Sequence, residues 1–301
     1  MSWIRRIGIA LGVIVVVLAV GVGTVYGVSA SRLGKRFDDV KGHKVTVPTD
    51  SASIERGRHI AQAVVKCGDC HDNDFSGKVV IDDPAIGTIT GANLTAGKGG
   101  VIAKYDDVLL ERAIRHGVGH DGRGLIVMPS HEVQFLADED LGALIAYIRS
   151  VKAVDHVIPA QRIGPLGRAL YLAGKLPLVD ATRIDPAFTP PAAMPVAATA
   201  EYGTYAARVG GCQGCHGESL SGGPIPGGDP SWPPAANITP TGLAAYSETA
   251  FTTLLRTGKR PAGTTVSSVM PFRYTKDLTD LEIKALWLYL QTVAPKEYGG
   301  R

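Results

Sequence analysis

The 301 residues carry 31 Lys and Arg against 28 Asp and Glu, a net charge of +3, with 45% hydrophobic residues and 37 glycines. That small basic excess, partly gathered around one apolar stretch near the N-terminus, gives no electrostatic footprint for nucleic acid, and no aromatic and basic interleaving supports single-strand binding. With the apolar stretch set apart, about 265 residues remain, a length that suits two small domains.

The chain opens with Arg5 and Arg6, followed by an uncharged run from Ile7 to Val28. About 22 residues at ~1.5 Å rise span ~30 Å of hydrocarbon, so the run reads as a transmembrane helix. A cleaved signal peptide is the competing reading, because Val28-Ser29-Ala30 resembles a small-residue cleavage site, but signal cores run about 7–15 residues. Arg5 and Arg6 argue for an N-terminus that stays inside, although Arg32, Lys35 and Arg36 beyond the run weaken the asymmetry.

Next comes Cys67-Gly68-Asp69-Cys70-His71, a C-x-x-C-H run whose chemistry recurs at Cys212-Gln213-Gly214-Cys215-His216. Two thiols at this spacing can each add to a vinyl group of a haem, and the adjoining histidine is placed to ligate the iron. The two runs consume all four cysteines of the chain. A zinc site would need four soft ligands close in space, whereas these pairs lie 145 positions apart, each with its own histidine. A thioredoxin-like pair would follow a strand and open a helix, a pattern that surrounds neither run. Covalent haem attachment takes place outside the cytoplasmic membrane, which supports an uncleaved anchor with its haem domains on the outer side.

The two motifs sit inside an internal repeat. Glu55-Arg56-Gly57 is answered by Glu201-Tyr202-Gly203, Asn93-Leu94-Thr95 by Asn237-Ile238-Thr239, and Arg115-His116-Gly117 by Arg256-Thr257-Gly258. Met128-Pro129 matches Met270-Pro271, and Leu144-Ile145-Ala146-Tyr147 matches Leu286-Trp287-Leu288-Tyr289, all at offsets between 140 and 146. The copies cover about 50 to 152 and 199 to 298. This divides the chain into an anchor with its flank (1–36), a first domain (37–152), a linker (153–198) and a second domain (199–301).

Each copy reads as helical. Ser53 to Val65 and Ala200 to Val209 form short helices entering the haem motifs. Asp106 to His116 and Ser247 to Arg256 are amphipathic, with Asp106 and Ser247 as N-caps and Gly117 and Gly258 as stops. The terminal helices run from Asp138 to Val151 and from Thr279 to Val293, the latter with a Thr279-x-x-Glu282 capping box. Leu141, Leu144, Ile145 and Ile148 are expected on the core face, as are Leu281, Leu286, Leu288 and Leu290. Between each haem motif and the next helix lie about 30 residues rich in Gly, Pro, Asn and Thr, such as Pro224 to Thr241. So long a loop suits a compact domain only where a large cofactor supplies the core it wraps.

A methionine thioether on the far side of the iron would raise its potential and fill the sixth site, favouring electron transfer over substrate binding. Met128 lies 57 residues after His71 and Met270 lies 54 after His216, each before proline and just ahead of the terminal helix. Met194, in the Pro/Ala-rich linker, has no counterpart and reads as packing or surface. His131, three residues past Met128, is an alternative ligand. His43, His59, His116, His120 and His156 have no partner in the second copy and default to surface or structural roles. Gly117-Val118-Gly119-His120-Asp121-Gly122 matches G-x-G-x-x-G, but it follows a helix and opens none, so it reads as a loop near the first haem. Arg115 and Arg256 are candidates for pairing with haem propionates, or are helix-end arginines. Asn93 and Asn237 either bind the loop around the haem edge or simply form turns. Ile184 to Thr199 joins the copies as a semi-rigid link, and Val154 to Arg183 contains Leu166, Leu170 and Leu172 for a helix packing between them.

The order C-x-x-C-H, N-[LI]-T, a helix ending R-x-G, M-P, then a helix with L-x-x-Y resembles the class I cytochrome c domain. More narrowly it is similar to the haem domains of cytochrome c subunits that accompany membrane-bound alcohol, gluconate and aldehyde dehydrogenases. The likeness covers nearly everything from Glu55 to Val293. Those subunits typically carry three haem domains and a C-terminal anchor, where this chain shows two and an N-terminal apolar run. The resemblance implies two covalent haem c groups on Cys67, Cys70, Cys212 and Cys215, with iron ligated by His71, Met128, His216 and Met270. The expected fold is all-α, a transmembrane helix followed by two tandem class I cytochrome c domains. The expected function is one-electron transfer on the outer face of a bacterial cytoplasmic membrane. Its donor would be a dehydrogenase or a quinol-oxidising complex and its acceptor a protein such as a terminal oxidase. The alternatives are a subunit of a terminal oxidase, a dihaem peroxidase-like enzyme and a gas-binding sensor, the last two needing an open iron.

Overall fold

The computed structural model describes residues 3–300, so Met1, Ser2 and Arg301, at the outer edges of the first and last expected segments, lie outside it. The chain begins with α1 (Trp3–Leu33), whose most apolar window has a mean hydropathy of 2.6 and no buried residue. Among the described residues it is the one helix long and apolar enough to cross a membrane.

The first copy contains α2 (Ser51–His59), α3 (Gly68–His71), the strands β1 (Lys78–Asp83) and β2 (Gly87–Gly91), α4 (Asp107–His116), α5 (Ser130–Val133) and α6 (Asp138–Ser150). Between the copies lie β3 (Arg162–Ile163) and α7 (Pro165–Leu172). The second copy contains α8 (Ala200–Val209), α9 (Cys212–His216), α10 (Glu248–Thr257), α11 (Phe272–Thr275) and α12 (Asp280–Thr292).

Local chemistry accounts for the helix ends. Asp106 and Ser247 accept hydrogen bonds from Leu109 N and Ala250 N, while Gly117 and Gly258 close the same helices in the left-handed conformation, at φ 64 and 73. Thr279 and Glu282 form the reciprocal capping box at the start of α12. α2 ends in a π-turn over Ile60–Val64, closed by Val65 N donating to Ile60 O at 2.9 Å, which re-aims the chain into the first C-x-x-C-H run.

In each copy the first and last helices cross at a glycine. A Cβ on Gly57 would lie 1.9 Å from Ala143 O, and one on Gly203 would lie 2.0 Å from Ala285 O. The repeated E-x-G is therefore a contact requirement: only a bare Cα lets α2 approach α6 and α8 approach α12 so closely. Leu141, Leu144, Ile145 and Ile148 are buried as expected. In α12, Leu286 and Leu290 are buried but Leu281 is 38% exposed, and Ile283 takes the core position. One hydrophobic cluster, from Val45 to Leu290, runs through both copies without a break.

The molecule is predominantly helical, with one departure from an all-α fold. β1, β2 and β3 form a small antiparallel sheet in that order, Lys78 opposite Gly91 and Gly87 opposite Ile163. The β-branched runs Val79-Val80-Ile81 and Thr88-Ile89-Thr90 favour strands, but the third strand comes from about 75 residues away, beyond any local signal. The connection between the copies also departs from expectation. α7 forms, yet it packs on α1 and the β-hairpin and does not sit between the domains. Phe37, Val40, Ile89, Val118, Ile163, Leu178 and Val179 make a second, smaller core there. The Pro/Ala-rich stretch ends the entry to α6: Pro191 O and Ala192 O accept from Asp138 N and Glu139 N at 3.0 Å, satisfying N–H groups that a helix start leaves open.

Candidate functional site

The two C-x-x-C-H runs adopt the same backbone. A left-handed residue precedes the first cysteine, Lys66 at φ 56 and Gly211 at φ 67, and another follows the histidine, Asp72 at φ 64 and Gly217 at φ 83. These breaks isolate one helical turn, so both thiols and the imidazole project from a single short element. The second copy uses glycine at both positions, while the first holds Lys66 and Asp72 in a conformation uncommon for residues with a Cβ. Lys66 is held by its ammonium group, which donates to Val64 O at 3.0 Å and to Gly210 O of the other copy at 2.6 Å.

Each motif histidine is oriented by a backbone carbonyl. His71 Nδ1 donates to Ala92 O at 2.8 Å and His216 Nδ1 to Ala236 O at 2.7 Å. A proton on Nδ1 puts the ring lone pair on Nε2, the arrangement of a metal-ligating imidazole with its second partner in place. Burial holds the His71 ring below its ordinary pKa, hence neutral. Burial likewise pushes the Cys67 thiol up to about 12 and the Cys212 thiol up to about 11. Among the described residues no cluster of three or more His, Cys, Asp or Glu could hold a metal ion. The donor set thus fits one haem per copy: two partly buried thiols and one carbonyl-oriented imidazole on a shared turn.

The M-P pairs are also superposable in their local geometry. Pro129 (φ −78, ψ 52) and Pro271 (φ −79, ψ 49) are the centres of inverse γ-turns in which Ser130 N and Phe272 N donate to Met128 O and Met270 O at 2.8 Å. Proline pre-sets the φ that this turn needs, which explains the dipeptide. Both methionines are half-buried. Met194 is partly buried against the main core. The ring of His131 is bonded through Nδ1 to Asp180.

Asn93 and Asn237 tie the loop after each motif to the chain beyond the terminal helix. Asn93 Nδ2 donates to Val154 O at 2.9 Å and Asn237 Nδ2 to Lys296 O at 2.7 Å, while each Oδ1 accepts from the Thr two residues on. Arg115 and Arg256 both reach the carbonyl just ahead of the terminal helix, Leu136 O at 2.7 Å and Leu278 O at 2.5 Å, and the acid that opens it, Asp138 at 2.8 Å and Asp280 at 2.6 Å. Arg115 is not a solvated helix-end residue: it is 1% exposed and also pairs with Glu111 at 3.2 Å.

What sequence reasoning missed is how the copies meet. Asp140 and Glu282, each 3% exposed and at the same place in α6 and α12, are the two poles of a pseudo-twofold interface. Asp140 accepts from Arg56 of its own copy at 2.6 Å and from the Tyr205 hydroxyl of the other at 2.6 Å. Glu282 accepts from His59 of the other copy at 2.9 Å and from Tyr202 of its own at 3.4 Å. Burial opposes the Glu282 charge, but the His59 hydrogen bond and charge hold its carboxyl below the usual range. Burial and the Asp140 charge raise the Tyr205 hydroxyl, keeping it a donor.

The interface extends to the haem motifs. α11 brings Arg273 onto Asp69, inside the first C-x-x-C-H run, and Tyr274 Oη donates to the same carboxylate at 3.2 Å. Reciprocally, α5 lays Glu132 over the second run, where a Cβ on Gly211 or Gly214 would lie 2.2 or 2.1 Å from its carboxylate oxygens. The short helix that follows each M-P turn therefore covers the attachment turn of the other copy. A signal for this existed in the repeat, since Asp140 matches Glu282 and His59 matches Tyr205 at the common offset, but only pairing across the copies gives it meaning.

Comparison with known proteins identifies the family. A family model described as Cytochrome c matches residues 54–152 and again 200–294. The fructose dehydrogenase cytochrome subunit of Gluconobacter japonicus is 28% identical over 294 residues, covering 85% of this chain and 56% of that protein. The cytochrome c subunit of a quinone-type alcohol dehydrogenase from Gluconacetobacter polyoxogenes is 28% identical over 287 residues, covering 83% and 58%. The gluconate 2-dehydrogenase cytochrome c subunit of Pantoea cypripedii is 35% identical over 103 residues, covering 33% of this chain and 23% of that protein. The chain spans little more than half the length of the first two relatives.

Proposed function

The chain belongs to the cytochrome c family, with two family domains carrying covalent haem c, and we propose that it is a membrane-anchored dihaem carrier that takes single electrons from a dehydrogenase. Bound haem c supplies the one-electron iron couple. Cys67 and Cys70 would hold one group and Cys212 and Cys215 the other, with the imidazoles of His71 and His216 and the thioethers of Met128 and Met270 as iron ligands. Ala92 O and Ala236 O keep both imidazoles in the ligating tautomer. α1 anchors the chain in a bacterial cytoplasmic membrane with both domains on its outer side.

The observation that carries this reading is the reciprocal cover of each attachment turn by the short helix after the other copy's M-P turn. With a single hydrophobic cluster running through both copies, that contact holds the two centres at a constant separation. A fixed separation of the two sites suits passage of electrons through the protein. The dehydrogenase donor is supported by the relatives, whose names make them cytochrome subunits of fructose, alcohol and gluconate dehydrogenases. The acceptor is a downstream protein such as a terminal oxidase.

The test is the optical spectrum of the purified holoprotein, oxidised and reduced, with carbon monoxide added to the reduced form. A methionine-to-iron band with no carbon monoxide shift is expected, and Met128→Ala and Met270→Ala should each open one centre to carbon monoxide. A shift in the unaltered protein would overturn the reading of two closed irons. Copurification from native membranes with a dehydrogenase tests the donor.

A further inference from the structure

Away from the attachment centres, the segment from Arg162 to Val179 combines an exposed apolar side chain with an all-basic charge pattern. This segment contains no acidic residue; its charges are Arg162, Arg168 and Lys175. Along α7, Leu166 is 47% exposed, and the exposed Ala169 and Ala173 follow it at i+3 and i+7, which places all three on one face. Arg162 and Lys175 flank that stripe and are themselves exposed.

α7 lies against the C-terminal end of α1. Arg168 Nη1 donates to Ser29 Oγ at 2.8 Å, and its guanidinium sits 4.8 Å from the centre of the Tyr26 ring. The uncharged run of α1 ends at this level, and Arg32, Lys35 and Arg36 follow immediately. An apolar span that ends beside α7 brings α7 to the depth of the lipid headgroups.

We infer that α7 is a membrane-surface element, with Leu166, Ala169 and Ala173 entering the headgroup–acyl boundary and Arg162 and Lys175 meeting anionic lipid. The inference rests on the reading of α1 as a membrane span and deepens it. Lipid is the occupant because the face continues the span, because its charges are all basic, and because two turns of helix offer less area than a stable protein interface needs.

The consequence reaches the first centre through a rigid path. A Cβ on Gly167 would lie 2.3 Å from Ile86 O, and Leu166 N donates to Ala85 O at 3.0 Å, so α7 is seated on the turn between β1 and β2. At the far end of β2, a Cβ on Gly91 would lie 1.8 Å from Cys70 O. Membrane contact at α7 thus sets the height of the Cys67–His71 turn, and the second copy follows through the shared interface.

In the holoprotein the native cysteines are thioethers, so Leu166→Cys introduces a single reactive thiol for a nitroxide label; Ala169→Cys serves if that variant fails to fold. The labelled protein, with its irons left oxidised and each label's relaxation first recorded without added relaxant as its baseline, is placed in nanodiscs of phosphatidylcholine and phosphatidylglycerol. Accessibility to oxygen is then compared with accessibility to a water-soluble nickel chelate. Val15→Cys in α1 and Leu281→Cys at the start of α12 are the references. The expected result is a label at 166 that is several-fold less accessible to nickel than the one at 281, and that loses part of this protection when phosphatidylglycerol is omitted. If Val15 reads hydrocarbon while 166 reads as aqueous as 281, the inference is overturned and the anchor stands. If Val15 itself reads aqueous, the anchor reading falls and this one with it. A 166 label that is aqueous in nanodiscs but shielded in native membranes would assign α7 to a protein partner and overturn the lipid assignment.

Discussion

The two copies share their attachment turns, their M-P turns and their crossing glycines, yet they spend the stretch between the motif histidine and the N-[LI]-T asparagine differently. In the first copy it becomes the β1–β2 hairpin, paired to β3 and roofing a second core that includes Phe37 near the end of α1. In the second copy it remains a turn-rich loop with one bridge, Gly223 to Ala235, and an exposed Trp232. Identical chemistry is thus mounted in two settings. The first copy carries the extra layer that joins it to α1, while the second needs only the interface with its partner copy. The repeat serves the cofactor, and the departures from it serve placement.

The largest expected effect breaks the symmetry of the interface itself. Asp140→Ala strands the Arg56 guanidinium, which stays charged at every accessible pH, and should cost about 3–5 kcal/mol in denaturant unfolding. Glu282→Ala should cost roughly half as much, because the donor it strands is an imidazole and not an always-charged guanidinium. Equal losses would mean that the two poles are energetically equivalent in spite of their different donors.

Next comes the layer that the second copy lacks. Phe37 is 6% exposed, and Phe37→Ala should cost about 3 kcal/mol through the cavity it leaves. Limited proteolysis should then cut first within 162–179, with the second copy intact; early cleavage in the second copy would show that the extra layer supports both.

A smaller effect is set by pH. Glu282 is held below its ordinary value of 4.5, so it binds fewer protons folded than unfolded. Its contribution is fully present above that value and is lost as pH falls through the lower folded pKa. The melting temperature should therefore fall as pH drops below about 4.5, and Glu282→Gln should flatten part of that slope. An unchanged slope in the variant would place the acid sensitivity elsewhere.

The smallest effect lies on the exposed flank of the clasp. Arg273, with a side chain 58% exposed, meets Asp69 at the surface. Arg273→Ala should change stability by less than ~1 kcal/mol and reduce its dependence on salt. A larger loss would make this contact a main support of the first attachment turn.

Much of the molecule is legible in local pattern. The C-x-x-C-H runs, the M-P pairs, the apolar length of α1, the caps at Asp106, Ser247 and Thr279 and the glycine stops of α4 and α10 are properties of a few consecutive residues. Chemistry at that range depends on spacing and backbone preference alone. The repeat extends this reach, because two occurrences of one spacing mark the same structural need twice. Arg115 shows where it stops: its recurrence as Arg256 marks a role, and only the fold reveals that the role is to clamp the terminal helix.

The sequence by itself determined the family chemistry, the two-copy organisation and the cofactor. Tertiary structure alone decided that the copies face each other through Asp140 and Glu282, that residues 162–179 belong with the first copy, and that β3 completes a sheet with β1 and β2. Those outcomes join groups 65 to 223 positions apart, as Tyr205 to Asp140 and His59 to Glu282 do. At such separations no periodicity in the chain specifies the partner; complementary burial, charge and close approach at bare glycine Cα atoms select it.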